Sequence, residues 1–371
     1  MRFTPSLKSI EKSAPRILGA FFCVLLSLSA ASCKKKGTPD WNTPGGTLPT
    51  EQSEAAPTPT APQPSAEQKP SVAPAANVAE KTEPTQPTIP AADLPATSQG
   101  LRFIAYNVEN WLSMDRYVNR TSQKNAPKPD SEKQAVISIL ARHQPDVIGL
   151  CEIGTLDDLA EIQSMLKEKG VDLPHSRFVG GSDPVRHLGL LSKFPISATG
   201  SVENSDYQLS GKTFSINRGI MDATIDARGK SYRFIGVHLK SKREVEEGDQ
   251  EAMRRNEAKL LRKHLDAIFE KDHDARLIVY GDFNDTRNSA SLKTAFGRYN
   301  SPGYLKPLFL KDSVGTSWTQ FWSYQDVYSR IDFVTVSKSI ANEVDLNSSH
   351  LLDDSNWNEA SDHRAVMVNF D

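Results

Sequence analysis

Acidic, amide and imidazole side chains recur in this chain at the ends of apolar segments. The residues in question are Asn107, Glu152, His238, Asp282, Asn284, Asp332, Asp362 and His363. Carboxylate and carboxamide oxygens are the ligands that Mg²⁺ prefers, and imidazole transfers protons near neutral pH. Because each such residue is by itself more commonly a turn or capping residue, the prediction of a site for metal or phosphate depends on the whole set.

The apolar segments that precede these residues predict alternating strands and helices, hence an α/β domain. Strands are predicted over residues 102–108, 146–152, 188–192, 220–226, 232–239, 276–284, 330–337 and 364–370. Helices are predicted over residues 131–143, 155–170 and about 250–269. The first helix should be N-capped, and the second should begin at a Thr155 cap and end at Gly170.

The N-terminus has the features of an export signal. Its first sixteen residues contain the basic residues Arg2, Lys8, Lys12 and Arg16. An apolar run over residues 17–31 is too short for a comfortable membrane span and is typical of a secretory signal peptide. It ends in Ala30-Ala31-Ser32-Cys33, which resembles the bacterial lipobox. We therefore expect residues 1–33 to be a signal peptide and Cys33 to carry a lipid, the alternative being an ordinary signal with an incidental cysteine.

Residues 34–99 differ in composition from the rest of the chain. They are rich in Pro, Ala, Thr, Gln and Ser, with few aromatic or branched aliphatic residues, so they cannot bury enough apolar area to fold. We expect a disordered tether that leads to a domain over residues 100–371. Lys34 after the cysteine, rather than Asp, favours an outer-membrane or cell-surface destination for the exported, lipid-anchored protein.

The bulk composition excludes little. A formal net charge of -2 with 24% charged residues indicates neither a strongly basic nor a strongly acidic surface. Three cysteines occur, and with Cys23 in the predicted signal and Cys33 lipidated, only Cys151 is left for the folded domain. In the apolar context VIGLCE, Cys151 is expected to be a small buried hydrophobe rather than a nucleophile.

Seven motifs occur in a fixed order between Leu101 and Phe370: YNVEN, GLCEI, LGLLSKFPI, GVHLKSK, GDFND, SRIDFVTVS and SDHRAV. In this order they resemble the motifs of the endonuclease/exonuclease/phosphatase superfamily, which has the deoxyribonuclease I-like fold. GDFND and SDHRAV are the most specific of them. The resemblance implies a four-layer α/β sandwich, in which two mixed β-sheets pack face to face with helices outside.

The resemblance also implies a metal site. Glu152 matches the central metal-binding glutamate of the superfamily, and Asn107 and Asp362 complete or support the site. Mg²⁺ is the expected cofactor, with Mn²⁺ or Ca²⁺ as alternatives, because the predicted ligands are oxygen atoms. The cation would neutralise charge on the phosphoryl oxygens and position the leaving group.

The catalytic roles carry over from the same motifs. Asp282 would orient or deprotonate the attacking water, and Asn284 would donate to a phosphoryl oxygen. His363 would contact the phosphate and help to activate the nucleophile, held in orientation by Asp332. His238 matches a second histidine, a candidate acid near the leaving oxygen.

The chain departs from the superfamily before the LGLLS segment. Deoxyribonuclease-like members carry a glutamate there to pair with the second histidine, but this chain reads Asp183-Pro184-Val185-Arg186-His187. Two expectations stay open: Asp183 replaces the glutamate, or Arg186 contacts the phosphate directly.

The substrate follows less directly than the chemistry. GVHLKSK resembles secreted nucleases, and we expect a nuclease acting on DNA or RNA outside the cytoplasm. A basic cluster of Lys240, Lys242, Arg243, Arg254 and Arg255 lies near His238 in sequence, with Arg218 as a further phosphate contact. The rival expectation is a phosphatase or phospholipase C-type enzyme, and the non-enzymatic one is a tethered binding module. The aromatic segment 317–328 should pack structurally through its Trp, and no protein partner is implied.

Overall fold

A computed structural model of the chain describes residues 100–118 and 121–371. The predicted signal peptide, the lipobox-like sequence and the tether lie outside these residues. In the part of the chain that is described, no helix is long and apolar enough to span a membrane.

The described region contains five α-helices and eighteen strands, of which several are short hairpin strands. The helices are α1 (Asp130–His143), α2 (Leu156–Glu168), α3 (Gln250–Lys271), α4 (Ala290–Phe296) and α5 (Trp357–Ala360), with a 3₁₀ turn at Lys338–Ile340. The strands are β1 (Leu101–Trp111), β2 (Met114–Val118), β3 (Thr121–Ala126), β4 (Val147–Ile153), β5 (His175–Val179), β6 (His187–Ser192), β7 (Ile196–Thr199), β8 (Asp206–Leu209), β9 (Lys212–Ser215), β10 (Ile220–Ala227), β11 (Lys230–His238), β12 (Leu277–Asp282), β13 (Lys306–Pro307), β14 (Gln320–Trp322), β15 (Val327–Ser329), β16 (Asp332–Val336), β17 (Val344–Leu351) and β18 (Val366–Phe370).

Twelve of these strands form two mixed sheets. Sheet I has the order β17-β18-β1-β4-β6-β5, and sheet II has the order β13-β16-β12-β11-β10-β7. In sheet I only β1 and β4 run parallel, and in sheet II only β11 and β12 do, while the other neighbours are antiparallel. The remaining strands pair as the hairpins β2-β3, β8-β9 and β14-β15.

Alternating apolar residues build three cores, which makes four layers. In β1 the Phe103 ring packs between the sheets, 5.0 Å from the Phe234 ring centroid of sheet II. The next residue, Ile104, points to the other face of sheet I and packs with α1 and α2. The outer face of sheet II is covered in the same way by α3 and α4. Strands that are buried on both faces need apolar side chains at successive positions, as β1 has. The three cores separate four layers, so the predicted four-layer sandwich is confirmed.

One close contact fixes the spacing of the central strands. The Tyr280 ring of β12 crosses the interior to β4, where a Cβ added at Gly149 would lie 2.0 Å from the ring atom Cε2. A Cβ at Gly236 of β11 would likewise lie 2.6 Å from the Tyr280 hydroxyl. Both glycines therefore provide the volume that this ring occupies between the sheets.

The predicted elements exist, with corrections at their ends. Thr155 caps α2 through a capping box with Asp158, and Gly170, in the left-handed region with φ +83°, follows its end as predicted. For α1 the predicted N-cap is wrong, because Pro129 occupies the N-cap position and its side chain has no group that can accept a hydrogen bond. The sheet-edge strands β5, β7, β13 and β17 and the hairpins were not predicted, since they are short or half exposed.

Candidate active site

The eight polar residues singled out from the sequence meet at one edge of the sandwich. β1 and β4 of sheet I reach this edge at their carboxyl ends, as do β11 and β12 of sheet II. Within sheet II the strand register places His238 beside Asp282, and Asp282 beside Asp332 at the start of the antiparallel β16. The edge therefore collects side chains from both sheets.

Asn107 connects the two sheets at the centre of the site. Its Nδ2 lies 3.2 Å from Glu152 Oε1 and 3.2 Å from Asp282 Oδ2, so it donates to a carboxylate of each sheet. The same nitrogen lies 3.4 Å from His363 Nε2. A buried amide with donors to two carboxylates fixes their relative position.

His363 and Asp332 form a buried dyad. The distance between His363 Nδ1 and Asp332 Oδ2 is 2.8 Å. Burial alone would lower the pKa of His363, but the carboxylates of Asp332 and Asp362 outweigh it and hold the pKa well above its usual value. The bond from Nδ1 leaves Nε2 facing Asp282 Oδ2 at 3.8 Å. A carboxylate in this position fixes the orientation of the ring and the nitrogen that faces the substrate.

The hydroxyl groups of two neighbouring residues bind backbone groups beside Asp332 and His363. The Thr319 hydroxyl oxygen accepts hydrogen bonds from the backbone N–H groups of Ile331 and Asp332, each at 3.0 Å. The Ser361 hydroxyl donates to the Asn107 carbonyl at 2.8 Å and accepts the N–H of His363 at 3.0 Å. Ser361 thus joins the His363 segment to β1.

Asp282 is a buried carboxyl group at the centre of the other carboxylates. Its Oδ1 accepts the backbone N–H of Asn284 at 2.7 Å, and Oδ2 lies 3.2 Å from Asn284 Nδ2. Burial, with the neighbouring Asp332 charge as the next cause, raises the pKa of Asp282 to about 7. The predicted strand over 276–284 ends at Asp282 instead, and Asn284 reaches Asp282 through a turn rather than by strand alternation.

Several site residues have left-handed backbone conformations. Glu109, Asn110, Glu152 and Asn284 have φ values of +48°, +56°, +69° and +52°. Such conformations cost non-glycine residues about 1–3 kcal/mol each and collect at functional sites. At Glu152 the turn lets the carboxylate accept the N–H of Asn110 at 2.9 Å while facing the interior of the site.

His238 lies in the site, but it is not paired with Asp183, the partner that the sequence suggested. Its Nε2 is 3.5 Å from Asp282 Oδ2 and 3.8 Å from Glu152 Oε1, and its buried Nδ1 has no hydrogen-bond partner among the described residues. Burial, and then the charge of Arg218, lowers the pKa of His238 well below its usual value. Asp183 instead forms an ion pair with Arg218 at 3.2 Å. The expectation that Asp183 replaces the missing glutamate is therefore wrong.

The three predicted substrate contacts have different surroundings. Arg186 Nε donates to Asn110 Oδ1 at 2.8 Å and lies 3.9 Å from Glu152 Oε2, so it borders the site. Arg218 is buried beside His238, with Nη1 lacking a hydrogen-bond partner among the described residues. The Lys240 ammonium donates to the Arg243 carbonyl at 3.3 Å and is buried. Lys240 therefore has a partner within the protein rather than an open position for substrate.

The predicted basic cluster is largely paired. Arg254 is buried, and its guanidinium binds Asp285 at 3.1 Å and the Lys240 carbonyl at 3.1 Å. Lys242 also lies near Asp285, and Arg255 pairs with Glu251 on the surface of α3. Arg254 therefore acts as a structural clamp on the segment after β11, which corrects its expected contact with a phosphate backbone.

The donor set fits a hard divalent cation. The carboxylates of the site are Glu152, Asp282, Asp332 and Asp362. Crowded carboxylates repel one another, and a cation relieves this repulsion. Ligand atoms of Asp282, Asp332 and His363 all lie within 4.8 Å of one another.

This cluster differs from the predicted ligand set of Glu152, Asn107 and Asp362. Asn107 turns its Nδ2 toward Glu152, while its Oδ1 accepts the N–H of Glu109 at 3.1 Å. A cation held by Glu152 could take Asn107 as an oxygen ligand only after that amide turns over. Asp362 is more accessible, with a side chain 37% exposed, and lies 3.8 Å from His363 Nε2.

Sequence reasoning did not assign roles to four residues that build the site. Glu109 Oε2 accepts the N–H of Asp362 at 3.0 Å, and Asn110 contacts both Glu152 and Arg186. Thr319 and Ser361 support the dyad as described above. Glu109 and Asn110 lie inside the motif YNVEN and Ser361 inside SDHRAV, so these motifs could have indicated the three residues. Thr319 lies in none of the seven motifs and has no sequence signal.

Two further expectations concern residues near the site. Cys151 is buried, its Sγ lies 3.5 Å from the Val237 carbonyl oxygen, and burial raises its pKa well above the usual value. This agrees with a small buried hydrophobe, because a nucleophile requires an accessible thiolate. Trp318 packs structurally as expected, with the Arg364 guanidinium 3.5 Å from its ring centroid and Trp357 4.9 Å away.

The two mixed sheets with helices outside, and the polar residues at their shared edge, define a deoxyribonuclease I-like hydrolase domain. The chain belongs to the endonuclease/exonuclease/phosphatase family, whose sequence pattern it matches over residues 118–363. Members of this family are phosphoesterases that generally depend on divalent metal ions. By sequence similarity, the chain matches no curated protein.

Solved structures agree with the fold. The human Nocturnin catalytic domain with a bound sulfate anion superposes with a TM-score of 0.53 at 18% identity, covering 73% of this chain and 94% of that one. A family member from Bacteroides vulgatus gives a TM-score of 0.53 at 16% identity, over 74% and 99% of the two chains. Another from Leptotrichia buccalis gives 0.51 at 16% identity, over 73% and 99%. At these identities the likeness concerns the fold alone.

Proposed function

We propose that this protein is a divalent-metal-dependent phosphodiesterase that cleaves DNA or RNA outside the cytoplasm. The observation that carries the proposal is the arrangement around Asn107, which joins Glu152 and Asp282 and faces His363. A binding module would not need four crowded carboxylates beside a buried His–Asp dyad. The repulsion within such a cluster destabilises the fold, and clusters of this kind concentrate at catalytic sites.

Glu152, supported by Asp362 and by Asn107 after its amide turns, would hold the cation. When bound, the cation withdraws charge from the phosphoryl oxygens and stabilises the leaving oxygen. The remaining work falls to the protein's own groups. Asn284 and the imidazole of His363 bind phosphoryl oxygens, and Asp332 keeps that imidazole in orientation.

Asp282 is the best-placed base for the attacking water. With a pKa of about 7, its carboxylate accepts a proton at neutral pH more readily than an ordinary aspartate does. The water oxygen forms the new bond to phosphorus, and the bond to the leaving oxygen breaks in line with it. His238 is mainly neutral, because its pKa is low, and it donates a hydrogen bond from Nε2 rather than acting as an imidazolium acid.

One observation favours a second candidate, a phospholipase C-type enzyme. The β14–β15 hairpin adjoins the site, because Gln320 Nε2 lies 3.2 Å from Asp362 Oδ2. The hairpin exposes Tyr324 in its turn and Tyr328 in β15, at 58% and 52% of their surfaces. Aromatic side chains of this kind suit a membrane interface, so a lipid phosphodiester is the rival substrate.

The test is a substrate panel on the full chain. Plasmid DNA, RNA, bis(p-nitrophenyl) phosphate and phosphatidylcholine vesicles are each incubated with Mg²⁺, Mn²⁺ or EDTA. We expect metal-dependent cleavage of DNA or RNA that is lost in the Glu152→Ala and His363→Ala variants. Cleavage that persists in EDTA would contradict the metal site, and turnover of phospholipid with intact nucleic acid would replace the nuclease by the second candidate.

We further propose that the protein is exported and anchored to the bacterial envelope by a lipid on Cys33. The support is the sequence Ala30-Ala31-Ser32-Cys33 after a basic and then apolar segment. The wild-type protein should partition into the detergent phase of cell extracts, and a Cys33→Ser variant should not. Equal partitioning of the two would contradict the lipid anchor.

A further inference from the structure

Two arginines share one exposed aromatic ring beside the site. The Arg287 guanidinium carbon lies 4.1 Å from the centroid of the Phe309 ring, and that of Arg330 lies 5.2 Å from the same centroid. Phe309 is 53% exposed. Arg330 is held from below by the Phe333 ring at 5.3 Å and donates to the Leu308 carbonyl. We refer to these three residues as the Arg287–Phe309–Arg330 cluster, and together they form a cationic surface.

The positive charge of this cluster is not balanced by acids. Among the described residues, no carboxylate forms an ion pair with Arg287 or Arg330, and the buried Nε of Arg330 has no hydrogen-bond partner. Burial, and then the charge of Arg287, lowers the pKa of Arg330 from its usual value, which agrees with two neighbouring cations. Guanidinium groups stay charged at neutral pH, so the repulsion persists unless an anion binds.

The position of the cluster indicates which anion. Arg287 comes three residues after Asn284, and Arg330 comes two residues before Asp332, so both arginines extend from segments that hold catalytic residues. The two segments are joined beside the site, because the Phe283 N–H donates to the Ile331 carbonyl at 2.9 Å. An anion bound to the cluster would therefore lie beside the catalytic residues rather than among them. A lipid or a small phosphoester places its single phosphodiester in the site itself, whereas a polynucleotide presents further phosphates on either side.

We propose that the Arg287–Phe309–Arg330 cluster binds a phosphate of a polynucleotide strand next to the one being cleaved. This inference rests on the proposed nuclease function and specifies how the strand is held. Each phosphate contact releases a condensed counterion, so the contact contributes to affinity in a salt-dependent manner. Guanidinium groups also match the geometry of phosphate oxygens.

The test measures binding of a fluorescent single-stranded DNA oligonucleotide to the full chain, by anisotropy over a range of salt concentrations. His363→Ala is the background, so that the oligonucleotide stays intact. We expect Arg287→Ala to weaken binding about threefold, and Arg287→Ala with Arg330→Gln about tenfold. The double variant should reduce the slope of log K against log salt by about 0.7, for one lost phosphate contact.

Arg142→Ala is the matched control, because Arg142 is 61% exposed at the far end of α1. It should leave the affinity and the slope unchanged. Equal weakening by Arg142→Ala, or an unchanged slope in both cluster variants, would overturn the proposal. Arg287 is exposed, so its variant keeps the test valid if the Arg330 variant unfolds.

Two outcomes separate this inference from the proposed function. If the wild type cleaves no nucleic acid but its oligonucleotide binding depends on the cluster, the nuclease function fails and the binding surface stands. If the wild type cleaves nucleic acid and the cluster variants bind normally, only the surface is wrong. Vesicles of phosphatidylglycerol serve as a second probe, and a loss of vesicle binding without a loss of oligonucleotide binding would also overturn the proposal.

Discussion

Two groups of buried charge contain residues that are neighbours in sequence, yet the two groups are balanced differently. In the first, every acid has a basic partner: Asp312 binds Arg364 at 2.8 Å, and Asp285 binds Arg254 at 3.1 Å. In the second, the carboxylates of Glu152, Asp282, Asp332 and Asp362 share the imidazoles of His363 and His238 and the amide of Asn107. Arg364 and His363 are adjacent in the chain, yet each belongs to a different group.

The pKa values show the consequence of this difference. For Asp312, burial alone would raise the pKa, but hydrogen bonds from Thr316 and Arg364 outweigh it and lower the pKa to about 2. Asp282 accepts hydrogen bonds from the amide groups of Asn107 and Asn284 but has no arginine partner among the described residues, and its pKa is raised to about 7. Paired charges compensate one another in the interior, whereas the crowded carboxylates repel one another, and a divalent cation can relieve that repulsion.

The largest expected effect is on catalysis. Asp282→Asn preserves shape and removes the base, so kcat for phosphodiester hydrolysis should fall by about 10²- to 10⁴-fold. The same change relieves repulsion from Asp332, so Tm should stay equal or rise. If instead Tm falls so far that unfolding explains the lost activity, Asp282 is one of the balanced charges that stabilise the fold.

The next effect concerns stability in the balanced group. Arg254→Ala leaves Asp285 buried without its partner and should lower the free energy of unfolding by about 3–5 kcal/mol, as measured by urea denaturation. Arg255→Ala on the exposed face of the same helix is the control and should change it by less than about 0.5 kcal/mol. Equal effects of the two changes would mean that the buried Arg254–Asp285 pair contributes no more to the free energy of unfolding than an exposed pair.

Lowering the pH should remove the contribution of the Asp312–Arg364 pair to stability. The pKa of Asp312 is about 2 in the folded chain, below the ordinary value of an unfolded aspartate, so its contribution is present above about pH 4 and is lost as pH falls toward 2. This contribution is about 2 kcal/mol, since each pKa unit corresponds to about 1.4 kcal/mol. Asp312→Asn should therefore be less stable than wild type at pH 7, with the gap closing near pH 2. A gap that is independent of pH would contradict the ion pair.

The smallest effect tests how β1 is joined to the segment that precedes β18. Glu109→Ala removes the acceptor of the Asp362 N–H, which lies 3.0 Å away, and should lower kcat about tenfold by loosening the Asp362–His363 segment. Glu109→Gln retains an acceptor oxygen and should recover most of kcat. If Gln and Ala behave alike, the charge of Glu109 matters rather than its hydrogen bond.

The sequence predicted the parts whose physical signals are local. Apolar runs marked both buried faces of β4 and β12, and the GDFND and SDHRAV motifs marked Asp282 and His363. The sequence could not tell balanced from unbalanced charge, because that depends on contacts between distant segments. The sequence predicts that Arg254 contacts phosphate, whereas in the structure Arg254 binds Asp285 and clamps the segment after β11. The partner of Asp183, Arg218, lies on another strand connection and has no sequence signature.

The cationic surface shows the same limit. Arg287 and Arg330 lie more than forty positions apart, and their common contact, Phe309, belongs to a third segment. Nothing in their local sequence distinguishes them from ordinary surface arginines. Only the fold brings the three residues together beside the catalytic edge.

The central claim is that the unbalanced carboxylates await a divalent cation at Glu152. It is tested most directly by calorimetric titration of Mn²⁺ into the full chain and into its Glu152→Gln variant, which keeps the shape of the side chain. We expect saturable binding to the wild type and an affinity reduced at least about tenfold in the variant. Equal binding by the two proteins, or no binding by the wild type, would contradict it.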